Sequence, residues 1–362
     1  MKRLTYITCF VCVLFLCLTV LPVRSHAAEG NIGDHCAWRL EDGTLTVSGN
    51  GVIPWSFDTP WADMKDTIHT VVVEPGITET CAKLFSGLEN LTSVSLPDTL
   101  KTLGNNAFNG CTALTSVTLP DSLETIGGGA FANCTALSYV YIPASVVTIG
   151  GGAFTNCASL TSITIPPSVR TVGGSAFYQC HALKSVYISD LKAWCYIDFY
   201  LDSANPLFNN ANLYLQDQLV TELVIPEGVF MIKEAAFSGC GSIQSVIVPD
   251  GVKAIQKYAF RGCTNLVSVT LPGSMQAIMD MAFEMCYSLD HVTFNGTFRQ
   301  LRKLSIHYFN DDLVNSQWQL SVKYILYYFS IVYLVGLAFQ LLIPLAILAI
   351  VKKARRRKRF TF

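Results

Sequence analysis

Thirteen cysteines are the most reactive side chains of this 362-residue chain, and seven of them, Cys111, Cys134, Cys157, Cys180, Cys240, Cys263 and Cys286, follow a common spacing. A thiol can form a disulfide, hold a metal ion or act as a nucleophile. The spacing argues against all three. Except for one interruption between Cys180 and Cys240, successive members are 23 residues apart, so each occupies one position of a repeat and the thiols form a vertical ladder. Side chains pointing in parallel meet the geometry of a disulfide only with distortion, and no two of the seven are spaced C-x-x-C to hold zinc. Buried free thiols filling a small core slot are expected. Histidines 35, 69, 181, 291 and 307 are scattered, and no H-E-x-x-H, G-x-S-x-G or G-x-x-x-x-G-K-[ST] occurs. No catalysis, metal or cofactor is expected.

The elements that position the thiols are legible in the phenylalanines. Phe85, Phe108, Phe131, Phe154 and Phe177, then Phe237, Phe260 and Phe283, recur with the same period. Four copies read A-F-x-x-C-x-x-L, through Cys111/Leu114, Cys134/Leu137, Cys157/Leu160 and Cys180/Leu183. Self-similarity on this scale predicts a solenoid whose coils cover one another and do not fold singly. Before each proline the sequence alternates: Val94, Val117, Val140, Ile163, Val186, Val246, Val269 and Val292 are placed inward, which makes one short strand per coil, stacked in parallel. The outward neighbours are Ser93, Ser95, Ser116, Thr118, Tyr139, Tyr141, Ser162, Thr164, Ser185, Tyr187, Ser245, Ser268, Thr270, His291 and Thr293. Small hydroxyls suit a strand without any ligand. Tyr139, Tyr141 and Tyr187 are the candidate ligand-binding residues, because tyrosine offers a large contact area at low entropic cost, although it is also an ordinary strand residue.

The two ends account for much of the 51% hydrophobic content. Lys2 and Arg3 precede an apolar run from Leu4 to Leu21, with a small-residue cleavage site ending at Ala27, so residues 1–28 read as a secretory signal, with an uncleaved anchor as the alternative. No charge occurs from Tyr324 to Val351, and residues 323–351 read as a single transmembrane helix. Seven bases follow in 352–362, which places that tail in the cytoplasm and the body of the chain outside, on the cell membrane. Residues 29–322 hold all 26 acidic and 14 of the 25 basic residues, a net charge of about −12. Nucleic acid is excluded as a partner, since phosphate contacts need clustered Lys or Arg.

The pattern L-P-x-x-L-x-x-I-G-x-x-A-F-x-x-C-x-x-L over about residues 71–301 resembles the BspA-like, treponemal-type leucine-rich repeats of bacterial and trichomonad surface proteins. The segment from Cys36 to Gly51, turning at Asp42-Gly43 and followed by Pro60-Trp61, resembles the family's N-terminal module. The expected order is an N-terminal β-hairpin cap at 29–70, a first repeat array at 71–187 and an insertion of helix plus hairpin at 188–224. A second array at 225–293 and a C-terminal cap at 294–322 follow. The first copy departs from the pattern with Leu88 in place of the cysteine, and the last with Met279 and Met281 in place of the glycine turn. The insertion is either a decoration of the binding face or a spacer between two shorter arrays. The resemblance implies a surface-displayed, adhesin-like protein binding extracellular protein or glycan ligands, from host matrix or other cells. A structural component of the envelope, with the solenoid as scaffold, is the alternative.

Overall fold

The computed structural model describes residues 27–54 and 59–320; the apolar run expected as a secretory signal and the span and basic tail expected at 323–362 lie outside the described residues. Among the described residues no helix is long and apolar enough to cross a membrane. The chain forms a β-solenoid of about 12 turns.

Each regular coil has three sides. The first is a three-residue face strand such as Ser116–Thr118 or Tyr139–Tyr141, and the second a two-residue strand such as Thr125–Ile126 or Thr148–Ile149. The third carries the A-F-x-x-C-x-x-L stretch. Strands stack parallel and in register, Tyr139 on Ser116 and Thr148 on Thr125. The third side is tied by its own backbone ladder, with Phe108 N–H donating to the Ala130 carbonyl at 2.7 Å and Phe131 N–H to the Ala153 carbonyl at 2.8 Å. Period-two alternation makes Val117 and Val140 inward and their neighbours exposed. The core is a column of rings: Phe85, Phe108, Phe131, Phe154 and Phe177 are stacked at centroid distances of 5.1, 5.6, 5.6 and 5.3 Å. Phe237, Phe260 and Phe283 form a second column at 5.4 and 5.1 Å. Trp61 heads the first column, stacked on Phe85 at 6.2 Å with Trp38 against its edge at 5.7 Å.

At the start of the chain, Cys36–Glu41 and Thr44–Gly49 pair antiparallel around Asp42 and Gly43, both at positive φ. Thr44 to Val47 then pairs parallel with Thr70 to Val73, which joins the hairpin to the solenoid ladder.

The insertion folds as one longer coil of the stack. Asp198–Phe199 continues the short-strand ladder beside Thr171–Val172, and Asn212–Leu215 continues the face ladder beside Ser185–Ile188. A helix, Leu191–Cys195, lies between Ser185–Ile188 and Asp198–Phe199, and its N-cap Asp190 accepts from Ala193 N–H at 2.9 Å. Gln218–Leu219 then folds back antiparallel on Leu215 and Tyr214, and both ladders start afresh at Glu222–Val224 and Met231–Ile232. The core runs on across this break. Trp194 Nε1–H donates to the Ala236 carbonyl at 2.8 Å, and the buried Asn205 amide donates to the Ala235 and Ala236 carbonyls at 2.8 and 2.9 Å. Lys233 pairs with Asp198, and Arg261 with Asp202 and Glu284.

The end of the array repeats the device. After His291–Asn295 come a helix at Phe298–Leu301 with a Thr297/Gln300 capping box, a short strand at Ser305–Ile306, a helix at Asp311–Asn315 and a strand at Gln317–Leu320 on the face ladder. Here buried Asn310 serves as Asn205 does at the junction: its Oδ1 accepts from Phe283 N–H at 2.9 Å, and its Nδ2 donates to the Met279 carbonyl at 2.8 Å. In every earlier coil of the second array that phenylalanine N–H meets the next coil's alanine carbonyl. Asn310→Leu leaves the Phe283 N–H buried and unpaired, while the Met279 carbonyl keeps its bond from Ala282 N–H at 3.3 Å, and the substitution is expected to lower unfolding stability by about 1–3 kcal/mol. Equilibrium urea unfolding of wild type and variant measures it, and an unchanged midpoint would contradict this role.

Candidate ligand-binding face

The ladder of thiols is closed to chemistry. Cys111, Cys134, Cys157, Cys180, Cys240, Cys263 and Cys286 are fully buried and free of disulfides. Each small thiol sits where the coil's backbone approaches its predecessor, and the S–H groups of Cys134, Cys157 and Cys180 donate to the Phe108, Phe131 and Phe154 carbonyls at 3.1, 3.2 and 3.0 Å. Burial pushes the thiols of Cys180 and Cys195 up to about 12 from the ordinary 9.0, and Cys157 and Cys263 also rise well above it. Thiolates are therefore unavailable as nucleophiles or ligands near neutrality. Among the described residues no group of three or more His, Cys, Asp or Glu is placed to hold a metal ion.

These raised values carry a pH signature. An acid whose folded pKa lies above its unfolded one is neutral in the folded state while the unfolded chain ionises, so its contribution to stability is fully present below about pH 9 and is lost as pH climbs toward 12. The urea midpoint is expected to hold between about pH 7 and 8.5 and to fall steadily above 9. A Cys157→Ala/Cys180→Ala variant is expected to show a shallower fall. An equal slope in both proteins would assign the alkaline loss to other groups.

What the solenoid does present is its strand face. Ser93, Ser95, Ser116, Thr118, Tyr139, Tyr141, Ser162, Thr164, Ser185 and Tyr187 all point outward from five successive strands. None is charged. Tyr139 and Tyr141 stand on one strand with 56% and 45% of their surface exposed. Tyr187 follows two coils further along in the row of Tyr141, with Thr164 between them, since Thr164 is in register with Tyr187. It does not touch the other two tyrosines. Its partner is Tyr214, in register on the next strand, with ring centroids 4.8 Å apart and planes 24° from parallel.

Tyr214 escaped the sequence reading because it belongs to the insertion, where the repeat pattern lapses. The only signal was its place in Leu213-Tyr-Leu, an alternation matching Val186-Tyr-Ile. Leu219 lies opposite Tyr214, and in the second array Val224 and Ile247 occupy the same outward row, with 49% and 36% of their surface exposed. The two halves of the face thus differ. The first is hydroxyl and tyrosine; the second opens with Glu222, Val224 and Ile247 and includes His291. At the N-terminal end, a concavity of about 710 Å³ is lined by Glu29, Glu41, Asp42 and Glu74, with Arg39 paired to Glu41 at 2.7 Å.

A parallel β-solenoid with a closed core, buried thiols and one regular exposed face defines a repeat scaffold. The sequence model of the BspA-type leucine-rich repeat region matches residues 78–200 and 210–329 in six copies, and the chain belongs to that family. The family is one of leucine-rich repeat scaffolds of the protein-binding kind, a non-enzymatic class. No curated protein matches the sequence. Among solved structures, a leucine-rich repeat protein from Eubacterium ventriosum is 23% identical, with 75% of this chain and 74% of that one covered at a TM-score of 0.49. The leucine-rich repeat protein of T. pallidum is 24% identical over 73% of this chain and 87% of its own, at a TM-score of 0.35. The pneumococcal vaccine antigen PcpA is 16% identical over 78% and 86%, at a TM-score of 0.45.

Proposed function

We propose that this chain is an exported, surface-displayed binding protein of the adhesin type, tethered by the apolar span at 323–351 and recognising extracellular protein or glycan ligands through its strand face. The observation that carries this reading is the exposed pair Tyr139 and Tyr141, with the half-buried Tyr187 further along, on a face that the fold leaves uncovered. Large amphipathic rings in the open cost solubility without helping the core, and such rings dominate binding surfaces. The acidic, uninterrupted apolar and basic order along the sequence supports display outside the membrane.

The test is a binding screen with cells displaying the full chain, against extracellular matrix proteins, whole microbial cells and a glycan array, with a Tyr139→Ala/Tyr141→Ala/Tyr187→Ala variant displayed at equal density. Saturable binding that falls at least about tenfold in the variant is expected, since each ring removed is worth about 1 kcal/mol or more. A folded, displayed chain that binds nothing on any panel would remove the adhesin reading and turn attention to envelope partners of the span and tail.

A further inference from the structure

The strand face of the first array differs from the rest of the surface in three independent ways, and together they specify a class of ligand. The first is charge. From Thr44 through Tyr214 no outward position of the face strands is charged, while residues 29–322 as a whole carry about −12. A neutral window in an acidic surface offers nothing to attract cations, and its surroundings repel anionic polymers.

The second is unspent hydrogen-bonding capacity. All ten outward side chains from Ser93 to Tyr187 carry a hydroxyl, and among the described residues none of these hydroxyls takes part in a hydrogen bond. Elsewhere in the same coils hydroxyls are used internally: Ser122, Ser145 and Ser168 each donate to the carbonyl of a preceding coil at 2.7–2.8 Å. Each free hydroxyl is both donor and acceptor, so the face matches a partner whose groups are likewise both.

The third is periodicity with aromatic platforms. The same two positions recur at every coil, about 4.8 Å apart along the stack. A periodic array of equivalent groups is complementary to a ligand that repeats itself, and a folded protein surface does not. Tyr139 and Tyr141 stand on the sheet as exposed rings, and Tyr187 is held against Tyr214 at 4.8 Å. Such rings offer flat apolar surface to the C–H face of a sugar while their phenol groups join the hydroxyl array. A protein partner is less well served. Its affinity concentrates in anchors that fill pockets, and on this face the outward residues form a flat field of short side chains from which only tyrosines rise.

We propose that the strand face from Ser93 to Tyr214 binds a neutral linear polysaccharide, with sugar rings stacked on Tyr139, Tyr141 and Tyr187 and sugar hydroxyls exchanging hydrogen bonds with the serines and threonines between them. This rests on the reading of the strand face as the ligand face and adds to it the chemical class of the ligand.

The test uses the full chain in mild detergent, titrated with a neutral β-linked glucan, a neutral mannan, a polygalacturonate, a sulfated galactan and a set of matrix proteins. Saturable binding to at least one neutral polymer is expected, with affinity changing less than about twofold between low and high salt because no charge pair is involved. Tyr141→Ala is expected to weaken it about tenfold and Tyr141→Phe only two- to threefold, since the ring stays and one hydroxyl is lost. Tyr287→Ala, which removes a ring with 70% of its surface exposed but off the strand face, is expected to leave binding unchanged. Equal thermal unfolding of the variants ensures that the comparison concerns folded protein. Binding to the anionic polymers or matrix proteins alone, lost in Tyr141→Ala, would overturn the polysaccharide assignment and leave the ligand face standing. Binding that no tyrosine substitution on this face alters would overturn both.

Discussion

Phe154→Ala is expected to lower the unfolding free energy by about 3–5 kcal/mol, the cost of deleting a fully buried ring where the surroundings do not collapse. Phe154 has no exposed surface and lies between Phe131 at 5.6 Å and Phe177 at 5.3 Å, nearly parallel to both. Its neighbours cannot close the gap, because their own backbones are pinned: Phe131 N–H is bonded to the Ala153 carbonyl and Phe154 N–H to the Ala176 carbonyl, both at 2.8 Å. The loss does not stay local. A coil touches only the coils before and after it, so a weak coil in mid-stack uncouples the two segments it joins. The urea transition is therefore expected both to move to lower denaturant and to broaden or divide. Phe283→Ala, near the end of the second column, is expected to shift the midpoint while leaving one transition. A loss below about 1 kcal/mol for Phe154→Ala, well short of the usual cavity cost, would show that the ring column is not the continuous core.

Gly150→Ala is expected to be as damaging for a different reason. A Cβ on Gly150 would meet the backbone of the preceding coil, 2.4 Å from Gly128 N and 2.7 Å from Gly127 C. Backbone cannot rotate aside as a side chain can. The coils have to part, which breaks the bond from Gly150 N–H to the Ile126 carbonyl at 2.8 Å and lifts Ile149 from its register with Ile126. Overpacking costs of 1–3 kcal/mol are usual where side chains can yield, and here at least about 3 kcal/mol is expected. Gly151→Ala is the matched control: its Cβ would come no nearer than 3.2 Å, to the Gly174 carbonyl oxygen. It should cost far less in the same thermal or urea experiment. Similar losses for the two would mean that conformational freedom, and not close approach, fixes glycine at these positions.

Much of this architecture is legible in the sequence because each coil solves one packing problem in one way. A large ring, a thiol and an aliphatic residue recur at fixed offsets, and all three prove to be fully buried. The alternation around Val117 and Val140 likewise separates core from face. Legibility fails where the same backbone is kept with different residues. The turn that holds Gly129 and Gly152 at φ of 63° and 65° holds Tyr258 at 61° and Met281 at 58°, so the conformation continues after the glycine signal has gone. Trp61 heads the ring column without matching the phenylalanine pattern. The insertion extends the stack through Asn205, whose side-chain amide takes over contacts that backbone makes elsewhere. No periodic signal marks such a substitution. For the candidate site, Tyr139, Tyr141 and Tyr187 and the hydroxyls around them were readable from alternation alone. The pairing of Tyr187 with Tyr214 was not, because it depends on which strand follows Ser185–Ile188 in space, and the next repeat in sequence does not supply it.

The junction also bears on how the molecule carries a load. Pulled from its two ends, a stack in which each coil clings only to its neighbours yields by peeling, and every coil released lengthens the chain by about 23 extended residues, on the order of 75 Å. The boundary between the two arrays is built otherwise. There the strand ladders stop, and the halves are held by the Trp194 and Asn205 hydrogen bonds and by the ion pairs of Lys233 with Asp198 and of Arg261 with Asp202. These ties are made by side chains reaching across from separate points, and they must give way together before the ends can part. Under tension the protein is thus divided into two extensible lengths joined by a clasp, so that slack can be drawn from one half while the other keeps its shape.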